Sequence, residues 1–304
     1  MKGNSQVQTH GRANEAPTAL TQSKAQRSYK RWGIGRWFLL YLLLITLGLL
    51  FTFPFYWMVS TSLKAPGHIY VNPPEWLPNP LYFANYPETW QKLPFGRFIQ
   101  NSIVITVLAT IGYVLSSTMA GYAFARLQFK GRNVYFALLL STLMLPGQVT
   151  LIPQFILYKN LGWLDTFLPL IVPAFFGSAF YTFLLRQFFL TLPKDLDEAA
   201  IIDGANRFQI LWKILVPLAK PAIATVTVFS FIYNWNDFFG PLIYLTRQEN
   251  MTLAVGLQLF RGQYDTDYAH MMAGATVAIA PILVIFFIAQ DFFVQSIALT
   301  GIKG

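Results

Sequence analysis

The 304-residue chain contains no cysteine and only three histidines, His10, His68 and His270. Disulfides and thiolate ligands are thereby excluded. The histidines are scattered over a leader, a proline-rich loop and the start of the last apolar run, so no metal centre is expected. His270, beside Tyr268, reads as a structural residue. No G-x-x-x-x-G-K-[ST] phosphate loop, G-x-S-x-G turn or H-E-x-x-H pair occurs, which leaves the chain without the known machinery for hydrolysing ATP, esters or peptides. Charged residues make up only 12% of the sequence, too few to cover a soluble protein of this size.

What fills the space is apolar: 55% hydrophobic and 17% aromatic residues, with a mean hydropathy of +0.45. Long uncharged runs predict an all-α integral membrane protein with six spans, at about 37–59, 98–125, 133–153, 167–189, 221–245 and 269–290, most of them near the roughly 20 residues a bilayer-crossing helix needs. The fifth span must carry Asp237. At about 1.5 Å per residue that carboxylate lies about 24 Å along the helix, which fits either an outer edge in water or a cavity wall. Prolines within the runs, above all in MLPGQVTLIP of the third, free backbone groups that a neighbour or a wet cavity must satisfy.

Residues 1–35 form a basic segment with few large apolar side chains, which predicts a disordered tail, and residues 36–304 a single membrane domain. The following run is full length and lacks a small-residue cleavage pattern, so a cleaved signal peptide is not expected. Residues 62–96 hold seven prolines and predict an irregular outer loop. With both termini in the cytoplasm, all of the 22 Lys and Arg except Lys64, Lys92, Arg97, Lys159, Arg247 and Arg261 fall inside, as the positive-inside bias requires. The net charge of +9 then follows from topology and calls for no nucleic acid.

Between the fourth and fifth spans lies TLPKDLDEAAIIDGANRFQILWKILVPLAKP, residues 191–221. Pro193 suits a first helical position, and Asp195, Asp197 and Glu198 complement the positive end of a helix dipole. Gly204 can end that helix in a left-handed conformation, and Asn206 with Gln209 three residues on can cap a second. Pro217 and Pro221 are expected to close it. Phe208, Leu211, Trp212 and Leu215 recur at the spacing of one apolar face. A DNA-reading helix-turn-helix has a similar shape, but four acids suit a polyanion poorly.

The letters are more specific than the shape. Glu198-Ala199-Ala200, three residues, Gly204, nine residues, Ile214, one residue and Val216-Pro217 resemble the EAA loop of ATP-binding-cassette importer permeases, with Val216 where that family usually has Leu. TSLK at 61–64, AGYAFAR closing the second span, MLPGQVTLIP, NWNDFFGPLIYL in the fifth and the GIKG end extend the resemblance over about 36–304, to the permeases of maltose-type carbohydrate importers. The resemblance implies a six-helix subunit whose loop 191–220 couples to a cytoplasmic ATPase pair. It also implies a second permease, a different chain, and an extracytoplasmic solute-binding protein, in the lipid of a cytoplasmic membrane. ATP and magnesium would sit on the partner ATPase, with no cofactor on this chain and no enzymatic role for it. Carried over position by position, Glu198, Ala199, Ala200, Asp203 and Gly204 are the coupling residues. Ser296, Ile297 and Thr300 depart from the family's usual C-terminal pattern.

For the solute path the fifth span offers Asn234, Trp235, Asn236 and Asp237, whose amide and aromatic chemistry suits sugar hydroxyls. Helix packing accounts for the same four residues. An ion-coupled transporter working alone is the alternative. It would need a buried acidic or basic relay and usually a repeat of helices, and the halves show no repeat.

Overall fold

The computed structural model describes residues 34–262 and 266–301, of which 34–36 and 291–301 are described as backbone only. The N-terminal leader and the last three residues therefore lie outside it, and the expectation of a disordered tail falls there. The chain divides at Tyr56 into two compact units. The described part of the first is most of helix α1 (Ile34–Ser62). Its residues between Trp37 and Tyr56, such as Leu43, Leu44 and Phe51, are exposed, the composition of a helix made for lipid rather than water.

In the second unit, a short helix α2 (Asn85–Lys92) is followed by α3 (Phe95–Arg126), 32 residues long. At 1.5 Å per residue α3 extends about 48 Å, longer than the apolar slab of a bilayer. Its buried face carries Ser102, Thr106, Ala109, Gly112, Ser116, Ser117 and Gly121, small residues that let backbones approach where no hydrophobic force drives helices together. A Cβ on Gly112 would come within 2.8 Å of the Phe175 ring, and one on Gly121 within 3.1 Å of the Arg186 backbone nitrogen.

The expected third span is not one straight helix. Residues 132–144, α4 (Arg132–Ser141) with a 3-10 turn, and α5 (Gly147–Asn160) meet at an angle of 99°. Pro146, which takes an extended conformation there, supplies no N–H to continue a helix. Each arm covers only about 20 Å. The next run, Leu168–Thr191, is continuous enough to cross a membrane. It consists of α6 (Leu168–Ile171), a 3-10 turn to Phe176, a break at Gly177 with φ of +95°, and α7 (Ala179–Thr191).

The hairpin follows as α8 (Asp195–Ile202) and α9 (Arg207–Leu218), and α9 turns by 83° at Ala219 into α10 (Lys220–Trp235). Residues 236–238 break the fifth run before α11 (Phe239–Tyr244), and the chain reaches α12 (Leu253–Gly256) before the long α13 (Tyr268–Gly301). Among the described residues no β-ladder forms beyond one isolated bridge, Arg261 to Thr266. The architecture is all-helical, with four helices long and apolar enough to cross a membrane, or up to six if each bent pair counts as one.

Two apolar clusters hold the second unit. One lies at the hairpin end, from Tyr122, Leu185, Phe189, Ala200, Ile210, Leu211, Leu215 and Val226. The other, at the opposite end, gathers Phe95, Phe98, Trp235, Leu253 and Phe260.

Candidate functional site

The hairpin's geometry follows from its letters. Asp195, Asp197 and Glu198 occupy the first turn of α8. At its other end the Gly204 N–H donates to Ile201 O at 3.0 Å and the Ala205 N–H to Ala200 O at 2.9 Å. Gly204 sits at φ of +81°, a conformation that costs glycine nothing and other residues about 1–2 kcal/mol. The capping box is present: Asn206 Oδ1 accepts from the Gln209 N–H, and Gln209 Oε1 from the Asn206 N–H, both at 2.9 Å.

Pro217 does not close α9, contrary to expectation. Residues Ile210–Leu215 form a π-helical stretch and the helix runs on through Leu218. The wider turn makes room for a ring that would otherwise press on the carbonyl one turn back. Pro221 instead occupies the first turn of α10, where its missing N–H is not needed.

The five residues expected to couple to an ATPase do not share one environment. Asp197 and Ala200 turn inward and are buried, Ala200 joining the cluster under the hairpin. Glu198, Ala199, Asp203 and Gly204 are exposed. Beside them stand Ile202, 86% exposed, and Phe208, 65% exposed. The hairpin therefore presents an apolar tip flanked by carboxylates, while Ala200 fastens it to the chain's own core.

A second feature lies between the spans. A cavity of about 370 Å³ is walled by Tyr113 of α3, Gly177, Ser178, Phe180 and Tyr181 around the start of α7, and Tyr233 of α10. The rings of Tyr113 and Tyr181 meet edge to face at 5.4 Å. The fifth-span candidates sit beside this cavity in sequence but do not line it. Trp235 is buried, donates from Nε1 to Ala278 O at 3.0 Å and stacks on Phe231. Asn234 and Asn236 donate to carbonyls one turn back on their own helix, at 2.6 and 2.8 Å. Asp237 Oδ1 accepts the Gly240 N–H at 3.2 Å, and a Cβ on Gly240 would lie 2.5 Å from that carboxylate. The four residues shape the break in the fifth run. Tyr113, Tyr181 and Tyr233, missed from sequence, carried one signal: amphipathic rings within otherwise apolar runs.

The end opposite the hairpin is tied by ions. Asp165, at φ of +59°, accepts the backbone N–H groups of Thr246 and Arg247 and the Asn250 side chain, and pairs with the Arg247 guanidinium. Burial pushes its carboxyl up, but these donors together hold it well below the usual carboxylate range. His270 is no isolated histidine: it is 3% exposed, with Nδ1 2.7 Å from Asp267 and Nε2 3.0 Å from Glu88. Lys92 donates to Asp267 at 2.7 Å and the Tyr82 hydroxyl to Glu88 at 2.9 Å. The Tyr82 hydroxyl and then His270 lower the Glu88 carboxyl. Asp267 is raised by burial but lowered overall by Lys92 and His270.

Comparison with known proteins places this architecture. The probable ABC transporter permease YurM of Bacillus subtilis is 32% identical over 280 residues, covering 90% of this chain and 91% of that protein. The arabinooligosaccharides transport system permease protein AraQ of the same organism is 33% identical over 268 residues, 86% of this chain and 94% of its own length. A permease chain from the crystal structure of a bacterial ABC transporter involved in importing the acidic polysaccharide alginate superposes with a TM-score of 0.76 at 25% identity, covering 84% of this chain and 95% of that one. The ion-gradient alternative gains no support from these relatives. Residues 112–299 match the model for the inner membrane component of binding-protein-dependent transport systems, and the chain belongs to that family, the permease subunits of ABC importers.

Proposed function

We propose that this permease forms one half of the channel of a sugar or oligosaccharide importer, with a different chain as the second half. An external solute-binding protein delivers the cargo, and an ATPase pair on the cytoplasmic side, where Mg-ATP is bound, drives the switch of access through the hairpin 191–220. The observation that carries this reading is the exposed tip of Ile202 and Phe208 flanked by Glu198 and Asp203. An apolar knob with a charged rim is the form of a docking surface rather than of a solvated loop. Both termini lie in the cytoplasm and six spans cross the bilayer, the third through its bent pair and the fifth as Lys220–Tyr244 with its break. The basic residues assigned outside then join the latch end, where Lys92, Arg97 and Arg247 meet Asp267 and Glu249.

The cargo class rests on the cavity and on the relatives. Aromatic faces from Tyr113, Phe180, Tyr181 and Tyr233 with hydroxyls from the tyrosines and Ser178 suit the alternating apolar and hydroxyl faces of a sugar ring. The test is gentle purification of the tagged chain with mass spectrometry of its partners. An ATPase and a second permease are expected to co-purify, and Ile202→Arg is expected to lose the ATPase while keeping the permease. Retention of the ATPase at wild-type yield by Ile202→Arg would overturn the docking assignment.

A further inference from the structure

Arg126, the last residue of α3, is only 4% exposed at its side chain. Its Nη2 donates to the Leu192 carbonyl at 2.8 Å, just past the end of α7. Its Nη1 lies 3.3 Å from Asp197 Oδ2 on the inward face of α8. Among the described residues this is the sole ion pair on the coupling helix. One guanidinium thus touches three elements: the span it terminates, the span that feeds the hairpin, and the hairpin's first helix. Those two spans carry Tyr113, midway along α3, and Tyr181, near the start of α7, which wall the cavity.

The pair is unusual in being incomplete. Both Asp197 oxygens, Arg126 Nε and Trp212 Nε1 are buried without a hydrogen-bond partner among the described residues. Tyr122 belongs to the apolar cluster under the hairpin and Trp212 packs against it. Acceptors stand on α8 and donors on α3 and α9. A purely structural core would have these groups paired or replaced by apolar ones, because half-satisfied buried ions stabilise poorly. An unspent donor on Arg126 beside an unspent Asp197 carboxylate suits a joint that re-pairs as α8 shifts.

We propose that Arg126 is a positioning residue for coupled transport: through Asp197 and the Leu192 carbonyl it carries displacement of α8 into α3 and α7, and so to the cavity walls. Without it α8 keeps residues 192–194 and the apolar seat of Ala200, contacts on which it can pivot. The proposal rests on the coupling reading of the hairpin.

The test is hydrogen–deuterium exchange on the intact transporter, purified with its partners in lipid, with and without Mg-ATP and vanadate. In the unsubstituted complex trapping is expected to change exchange both in the hairpin, residues 195–209, and in the cavity walls, residues 110–116 and 177–184. Asp197→Asn is expected to keep ATP hydrolysis and the hairpin response while the wall response falls about tenfold. A merely structural loss would instead raise exchange everywhere before nucleotide is added. Should Asp197→Asn fail to accumulate, Arg126→Lys is read in the same assay. It keeps the charge but not the forked reach to both partners, and loss of at least half the wall response supports the proposal. A full wall response in either variant overturns the proposal alone, whereas absence of an ATPase from the unsubstituted complex overturns the coupling reading and the proposal with it.

Discussion

Asp165 and Asp197 are both carboxylates facing an arginine, and the chain serves them very differently. Asp165 gathers two backbone N–H groups, the Asn250 amide and the Arg247 guanidinium. Asp197 has Arg126 at 3.3 Å and no hydrogen bond. The same contrast extends to their surroundings. A separate network of His270, Glu88, Asp267 and Lys92 is likewise connected throughout. Beside the second, Arg126 Nε is buried without a hydrogen-bond partner, as is Trp212 Nε1 in the cluster under the hairpin. One end of the permease is latched and the other is jointed. Fully satisfied polar networks fix a single arrangement, and partly satisfied ones leave several within reach.

Four substitutions would break or sharpen that contrast. The largest effect is expected from Gly204→Pro. Proline cannot adopt φ of +81° and removes the N–H that bonds Ile201 O, a cost of about 3 kcal/mol or more concentrated in the hairpin. ATP-driven uptake should fall at least about a hundredfold while the chain still reaches the membrane. Normal uptake would show that the joint does not depend on this turn.

Next comes Asp165→Asn, which keeps an oxygen for the backbone donors but loses the charge facing Arg247. About 1–3 kcal/mol of stability should go, visible as a lower melting temperature in detergent. The carboxyl is held below its ordinary range, so its contribution is present above pH about 4 and is lost as pH falls toward the depressed value. The unsubstituted chain should therefore lose stability on acidification and Asp165→Asn should show a flatter acid limb. An identical limb would remove Asp165 from the latch.

His270→Gln follows. One amide cannot meet Asp267 and Glu88 together, and about 1–2 kcal/mol is expected to be lost locally, read as faster hydrogen exchange across residues 85–92. Unchanged exchange there would mean that α2 is held by Asn85, which donates to Ser62 O and Lys64 O, and not by the ion network. The smallest effect is expected from Trp235→Phe: about 1 kcal/mol for the bond to Ala278, with solute affinity unaltered. A tenfold loss of affinity would return Trp235 to the solute path.

The hairpin was legible almost residue by residue, because capping and glycine chemistry act over three or four positions and show in the letters Asn206, Gln209 and Gly204. The third span was legible as one apolar run at about 133–153, but its shape was not. An apolar run looks the same whether straight or bent by 99°, and only Pro146-Gly147 hinted at the turn. Pro217 was misjudged because the π-helical turn that accommodates it depends on packing. The inward turn of Ala200 and Asp197 and the cavity tyrosines were also invisible, since both depend on which face of a helix meets a distant neighbour. His270 was read as structural, but its partners are split between Glu88, far upstream, and Asp267.

Ile202 and Phe208 stand exposed at the tip of the hairpin. If the hairpin docks as proposed, a copy that has not found its partners displays them and an assembled one hides them. The tip thus distinguishes an orphan subunit from a finished transporter: chaperones and proteases that recognise exposed apolar segments would meet it only on unpaired chains. The abundance of this permease in a cell should then follow the supply of whatever covers that tip.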